Sequence, residues 1–232
     1  MKGTEGLKKR VAKEVLSFIE NDMVIGLGSG STMVYVIQEM GQALKAGSIK
    51  KLYGVPTSFQ SEILGRENHI QMLDFNAVDK INLAIDGADE VDPKKNLIKG
   101  GGGAHTREKY IDYFADRFIV VADESKLVKT LGQKFAVPVE VLPEAYCSVQ
   151  KKLAEMGAVA ILRMAEKKAG PVITDQGNFI LDAKLSPIEQ PKQLEMAINN
   201  IPGVLENGIF TRFIEHVLIG SYSEGQPKVI RM

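Results

Sequence analysis

Acidic, basic and hydroxyl side chains gather where short apolar runs break into polar, glycine-rich loops. The first loop reads Gly26-Leu27-Gly28-Ser29-Gly30-Ser31-Thr32, and the second Asp86-Gly87-Ala88-Asp89-Glu90. The third runs Lys99-Gly100-Gly101-Gly102-Gly103-Ala104-His105-Thr106-Arg107-Glu108-Lys109, and the last is Asp123-Glu124-Ser125-Lys126. Glycines at a helix start let backbone N–H groups approach an anion, which the helix dipole also favours. Ser29, Ser31 and Thr32 add hydroxyl donors. The first loop is not a Walker A loop, because no lysine stands at the required spacing, and Ser31 replaces the third glycine of a dinucleotide fingerprint. Carboxylates set together at Asp86, Asp89 and Glu90 disfavour one another's ionisation, so one can stay protonated and donate, or the group can hold Mg²⁺. An acidic turn with a helix cap is the structural alternative. Successive glycines lose much entropy on folding and suit a backbone that must pass close to something. Lys99 supplies a fixed cation there. Glu108, in a helix's first turn, either complements the dipole or serves as a base. Lys126 and Lys8 are point charges for a phosphate or solvated surface lysines. His69, His105 and His216 lack metal-ligand spacing, and His105 is expected to be a peripheral or hydrogen-bonded loop residue. A Ser-His-Asp site would need a G-x-S-x-G elbow, which is missing.

Positioning these groups requires strands that end at one edge of a sheet. Residues 7–20 repeat apolar side chains at a helical period, and residues 23–26 read as a buried strand. Residues 33–44, 61–67 and 107–115 read as helices, with Ser31 and Thr32 as N-caps of the first. Residues 51–56, 70–73, 81–85 and 118–122 read as strands. That alternation predicts a largely parallel sheet covered on both faces, with the loops beyond its carboxyl ends enclosing a pocket for a small, polar, anionic substrate. From about residue 132 the order becomes β-α-β-β-α-β, the ferredoxin-like pattern, with a hairpin of residues 171–174 and 178–182 across Asp175-Gln176-Gly177. The expected fold class is α/β: a Rossmann-like, mostly parallel sheet domain (residues 1–131 plus 208–232) and a smaller ferredoxin-like α+β domain (residues 132–207). The tail, residues 216–220 and 228–232, adds two strands expected to return to the first domain.

Composition narrows the partners. The 29 basic and 29 acidic side chains cancel, so no field attracts nucleic acid or an anionic membrane, and Trp is absent from the stacking surfaces nucleic-acid binding uses. No apolar run approaches a membrane span. Residues 1–10 are polar and basic with no signal-peptide core behind them, so the expected location is cytoplasmic. Cys147 is the single cysteine, which rules out an intrachain disulfide.

Taken together, GLGSGST, DGADE, KGGGGAHTREK and ADESK closely resemble type A ribose-5-phosphate isomerases, and VPVEV, GPVITDQGNFILD and AINNIPGVLENGIF extend the resemblance through the second half. The resemblance implies interconversion of ribose 5-phosphate and ribulose 5-phosphate in the pentose phosphate pathway, with no metal or organic cofactor, by a homodimer. It implies Glu108 as proton acceptor, with Asp86, Asp89 and Lys99 as its catalytic company. It further implies substrate contacts from Ser29, Gly30, Ser31 and Thr32, from Asp86, Gly87, Ala88 and Asp89, from Lys99, Gly100, Gly101 and Gly102, and from Lys126, with Lys8 near the phosphate. His105 departs from the pattern, which has an apolar residue there. Two other readings are a non-catalytic sugar-phosphate sensor, which would need a DNA-binding segment, and an acyl or CoA transferase with a nucleophilic Glu.

Overall fold

The computed structural model describes residues 4–223 and 226–232; the first three residues of the basic start lie outside it. The chain divides into two units. The first holds the chain up to Gly87, Arg107–Lys126, and the chain from Phe213; the second holds Ala88–Thr106 and Leu127–Arg212.

The first unit opens with α1 (Thr4–Val15), followed by β1 (Val24–Leu27), α2 (Ser31–Lys45), β2 (Tyr53–Pro56), α3 (Phe59–Glu67), β3 (Gln71–Met72) and β4 (Leu83–Gly87). The second unit begins with β5 (Glu90–Val91) and β6 (Leu97–Ile98). Next is α4 (His105–Phe114), which belongs to the first unit from Arg107 onward and leads to β7 (Phe118–Asp123). The second unit continues with β8 (Val137–Val141), α5 (Tyr146–Glu155), β9 (Val159–Leu162), β10 (Phe179–Lys184), α6 (Pro191–Asn199), β11 (Val204–Asn207) and β12 (Ile209–Phe210). The tail, β13 (His216–Ser223) and β14 (Gln226–Arg231), lies in the first unit.

The first unit's seven-stranded sheet has the order β14-β13-β7-β4-β1-β2-β3. All neighbours are parallel except the β13–β14 edge pair. The tail therefore returns to this sheet, as expected, with β13 beside β7. Chain order reverses between β1 and β4, the switch point at which open α/β sheets bind ligands. Alternation decides the faces. Ile25, Leu27, Leu83 and Ile85 join α1 and α2 in one core through Val11, Val15, Met33 and Ile37. Gly26 turns the other way, and a Cβ there would lie 2.8 Å from Ile111 of α4. A glycine at that position lets α4 lie close to β1.

The second unit's four-stranded sheet runs β11-β8-β10-β9 and is antiparallel throughout. With β8, β9, β10 and β11 as the first to fourth strands, this is the ferredoxin-like order. Its core joins Val139, Val141 and Leu181 with Val149 and Leu153 of α5 and Ile198 of α6. The structure differs from the expected boundaries because Ala88–Thr106 groups here. The reason is pairing: β5, β6 and β12 form their own antiparallel sheet and do not extend the parallel one. The expected strand at 171–174 is also missing; Thr174 N–H bonds the Asn178 carbonyl to make a turn, and Pro171 forms only an isolated bridge with Met164. Among the described residues no helix is long and apolar enough to cross a membrane.

Candidate active site

In the first unit, the turn after β1 and the end of β4 are locked together. The Gly28 N–H bonds the Ile85 carbonyl at 2.9 Å. Asp86, next along β4, is fully buried, and its Oδ1 accepts from the Ser29 N–H at 3.0 Å and its neighbour Gly87 N–H at 2.6 Å. A Cβ on Gly28 would lie 2.2 Å from that oxygen, so only glycine fits. Gly30, at φ +95°, sits directly before α2, and no side chain caps that helix. Ser31 and Thr32, expected as caps, are instead its first residues. Their hydroxyls are thereby left at a helix N-terminus, where anions are favoured. From α1, Lys8 Nζ donates to Ser31 Oγ at 2.9 Å, which brings a cation to this turn.

The carboxyl end of β2 contributes groups that the motifs did not include. Ser29 Oγ lies 2.8 Å from Thr57 Oγ1 and donates to Ser58 Oγ at 2.6 Å. Thr57 is fully buried, and its N–H bonds the Leu27 carbonyl at 3.0 Å. Ser58 forms a capping box with Ser61 at the start of α3. Gln60 accepts the Gly30 N–H at 2.8 Å. A Thr-Ser pair ending a strand, followed three residues later by another hydroxyl, was the available signal.

A helix linking two parallel strands runs back along them, so its first turn is level with their carboxyl ends. That places Glu108, in the first turn of α4, at the edge where β4 ends. Glu108 is 5% exposed, unusual for a carboxylate whose dipole-complementing role would be served in solvent. At the end of β7, Asp123 accepts from Ser125 N–H at 2.9 Å, and half-buried Lys126 ends the loop that follows.

In the second unit, Asp89 and the glycine loop form a second constellation. The Asp89 N–H bonds the Ile98 carbonyl at 2.8 Å, and its Oδ2 accepts the Gly101 N–H at 2.7 Å. Lys99, directly after β6, is 3% exposed, with Nζ 5.4 Å from the centroid of the Phe210 ring. Gly100 has φ +98°, and a Cβ on it would meet the His105 imidazole at 2.7 Å. His105 is therefore a fully buried first residue of α4, not a peripheral loop residue. Gly101 and Gly102 are exposed, while Gly87, Ala88 and Asp89 are half-buried.

Arg163, unmarked by any motif, clamps this loop. Its Nη1 donates to the carbonyls of Gly100 and Gly101, each at 3.1 Å, while its Nε and Nη2 grip Asp182 at 2.9 and 2.5 Å. Glu90 stands apart from the expected carboxylate group. It is fully buried and accepts the Gly132 and Phe135 N–H groups at 2.6 and 2.8 Å, so it anchors a loop. Glu140 of β8, also buried, accepts from Thr106, Thr174 and Asn178 and ties down the residue two places before Glu108. Among the described residues no group of three or more His, Cys, Asp or Glu is gathered to hold a metal ion.

Residues 53–224 match the family described as ribose 5-phosphate isomerase A (phosphoriboisomerase A). The ribose-5-phosphate isomerase A of Nostoc sp. is 53% identical over 226 residues, covering 97% of this chain and 96% of that protein. That of Thermococcus kodakarensis is 54% identical, covering 98% and 99%. The solved ribose 5-phosphate isomerase A of Methanocaldococcus jannaschii superposes with a TM-score of 0.92 at 45% identity, over 99% of this chain and 100% of that one. A D-ribose-5-phosphate isomerase solved in complex with phospho-erythronic acid gives a TM-score of 0.94 at 50% identity, over 98% and 99%.

Proposed function

The chain belongs to the ribose 5-phosphate isomerase A family, and we propose that Glu108 carries out its isomerisation by moving a proton between C1 and C2 of the sugar phosphate through an enediolate. Membership makes it an enzyme, an isomerase; the roles below are our reading of its residues. The observation that carries the reading is the burial of charge-bearing side chains in the loops named above: Asp86 is 0%, Lys99 3% and Glu108 5% exposed. Side chains of these types are almost never so buried unless paired or put to use.

A carbon-bound proton beside a carbonyl is a weak acid, so a base alone does little. The oxygen that gains charge must be stabilised as it does so, by groups already in place. Glu108 takes the proton from C2 and returns it to C1 on the same face. Lys99 is the cation for the O1/O2 side, and Asp86, held in one orientation by two main-chain N–H groups, is the hydrogen-bond partner or proton shuttle there. Asp89, its carboxylate steadied by the Gly101 N–H, assists in opening the cyclic sugar. The Ser29-Gly30-Ser31-Thr32 turn at the start of α2, with Lys8 and Lys126, anchors the phosphate, and the backbone of Gly87, Ala88, Gly100, Gly101 and Gly102 completes the substrate contacts. Binding energy from the phosphate then positions the reacting carbons. The relative bound to phospho-erythronic acid supports this, since a planar carboxylate copies the oxygens of an enediolate. We read the protein as a cytoplasmic homodimer of the pentose phosphate pathway.

The test is Glu108→Gln. It is expected to abolish exchange of the C2 hydrogen with solvent deuterium while ribose 5-phosphate binding stays within about tenfold, because only an interaction of the transition state is lost. Unchanged turnover rejects the assignment.

A further inference from the structure

We infer that Glu140 is a positioning residue for the isomerisation: by holding the Thr106 hydroxyl it fixes the rotation of the first turn of α4, and so the place of the Glu108 carboxylate. The inference rests on the reading of Glu108 as the base. Glu140 and Thr106 both belong to the second unit, and α4 itself carries the effect two residues on to Glu108.

Val139 and Val141 of β8 join the apolar core, and strand alternation sends Glu140 to the opposite face, where it is nevertheless fully buried. Its two oxygens serve different segments. Oε1 accepts from Thr174 Oγ1 at 2.7 Å and from Asn178 Nδ2 at 2.9 Å. That turn also closes on itself, with the Thr174 N–H on the Asn178 carbonyl at 2.9 Å and the Asn178 N–H on Thr174 Oγ1 at 3.1 Å. Oε2 accepts from Thr106 Oγ1 at 2.5 Å. Among the described residues no cation pairs with Glu140, and its partners are neutral donors. Taking a carboxylate out of water without a counter-charge is costly. Closing a turn that already holds itself does not account for that cost. A short, directional bond to the start of α4 does.

Helix geometry shows why the bond matters two residues away. A helix advances about 100° per residue, so side chains two apart leave it on nearly opposite sides. Pinning Thr106 on one side therefore sets the direction in which Glu108 leaves the other. An atom about 6 Å from the axis moves by about 1 Å when the turn rotates by about 10°. A misplacement of that size in a reacting group costs on the order of 10²-fold in rate. The first turn is also where a helix holds itself least, because its leading N–H groups have no partner within it. Glu140 supplies the restraint from outside the helix.

The experiment compares steady-state kinetics and denaturant unfolding of full-length variants. Thr106→Val keeps the side chain's shape and removes the hydroxyl; it is expected to lower kcat by about 30-fold while KM stays within about twofold. Thr106→Ser, which restores the oxygen, is expected to regain most of kcat. Glu140→Gln turns an amide NH₂ toward a donor and is expected to lower kcat by about tenfold, again with little change in KM. The two changes combined are expected to be no slower than the slower single variant, because both break one contact. Thr174→Val removes a partner of the other oxygen, so it is expected to unfold at lower denaturant with kcat within about twofold of wild type. An equal loss of kcat in Thr174→Val, a multiplied loss in the double variant, or no recovery in Thr106→Ser overturns the inference and leaves Glu140 a structural anchor. If Glu140→Gln fails to fold, the Thr106 variants and Thr174→Val decide the question. Unchanged kcat in Thr106→Val beside an inactive Glu108→Gln overturns this inference alone. An active Glu108→Gln overturns the base reading and this inference with it.

Discussion

The Ser29 N–H donates to Asp86 Oδ1 at 3.0 Å, joining the turn after β1 to the carboxylate at the end of β4. Two groups far apart in the chain thus become one unit at the switch point of the sheet, and Gly28 lies flat against the same carboxylate.

Gly28→Ala puts a methyl group 2.2 Å from Asp86 Oδ1, far inside van der Waals contact. The carboxylate must move by about an ångström, a displacement that costs on the order of 10²-fold in rate at a reacting centre. Steady-state kinetics are expected to show that loss in kcat, with the far-ultraviolet circular dichroism unchanged.

Thr57→Val keeps the shape of the side chain and removes the hydroxyl that meets Ser29 Oγ at 2.8 Å. Leaving a half-buried hydroxyl with one partner fewer is expected to cost about 1 kcal/mol in denaturant unfolding and to raise KM more than it lowers kcat. Thr57→Ser, which restores the oxygen, is expected to recover most of both.

Arg163→Ala releases the carbonyls of Gly100 and Gly101 and leaves Asp182 without its guanidinium. The glycine loop loses its support, so KM for ribose 5-phosphate is expected to rise roughly tenfold, equivalent to about 1.4 kcal/mol. Unfolding stability is expected to fall by about 2 kcal/mol from the lost charged hydrogen bonds. Arg163→Lys recovers little, because an ammonium cannot span the fork.

The Arg117 guanidinium beside Glu215, at 2.7 Å, holds that carboxyl below its ordinary range. A depressed carboxylate contributes stability above its unfolded pKa and loses it as pH falls through its folded one. Thermal melts of wild type and Glu215→Gln are therefore expected to differ by a constant amount near neutrality and to converge in acid below about pH 4. Both side chains are partly in water, 37% and 29% exposed, so the difference is at most about 1 kcal/mol.

Exhaustive EDTA treatment is expected to leave isomerase activity intact, since Asp86 Oδ1 already accepts main-chain N–H groups and Asp89 Oδ2 is bound to the glycine loop. Loss of activity that Mg²⁺ restores would favour a metal held by those carboxylates.

What the sequence determined by itself was local. A strand that breaks into Gly-Ser-Gly and starts a helix carries its geometry in a few adjacent residues, so the turn before α2 was legible, as was the β-α-β-β-α-β order of the second unit. Glu108 in a first turn and Asp86 at a strand's end follow from spacing alone. Tertiary structure decided whatever depended on strand register and on partners distant in the chain. Thr57 meets Ser29 because β2 lies in parallel register beside β1, and Arg163 reaches Gly100 across 63 positions. Glu90 reads as part of an acidic motif, yet main-chain N–H groups more than 40 positions away make it an anchor. Residues 88–106 resemble more of the parallel domain, but backbone hydrogen bonds to β12 draw them into the other unit. Periodicity records which face of an element is apolar; it does not record which distant donor or acceptor will satisfy a group once that face is buried.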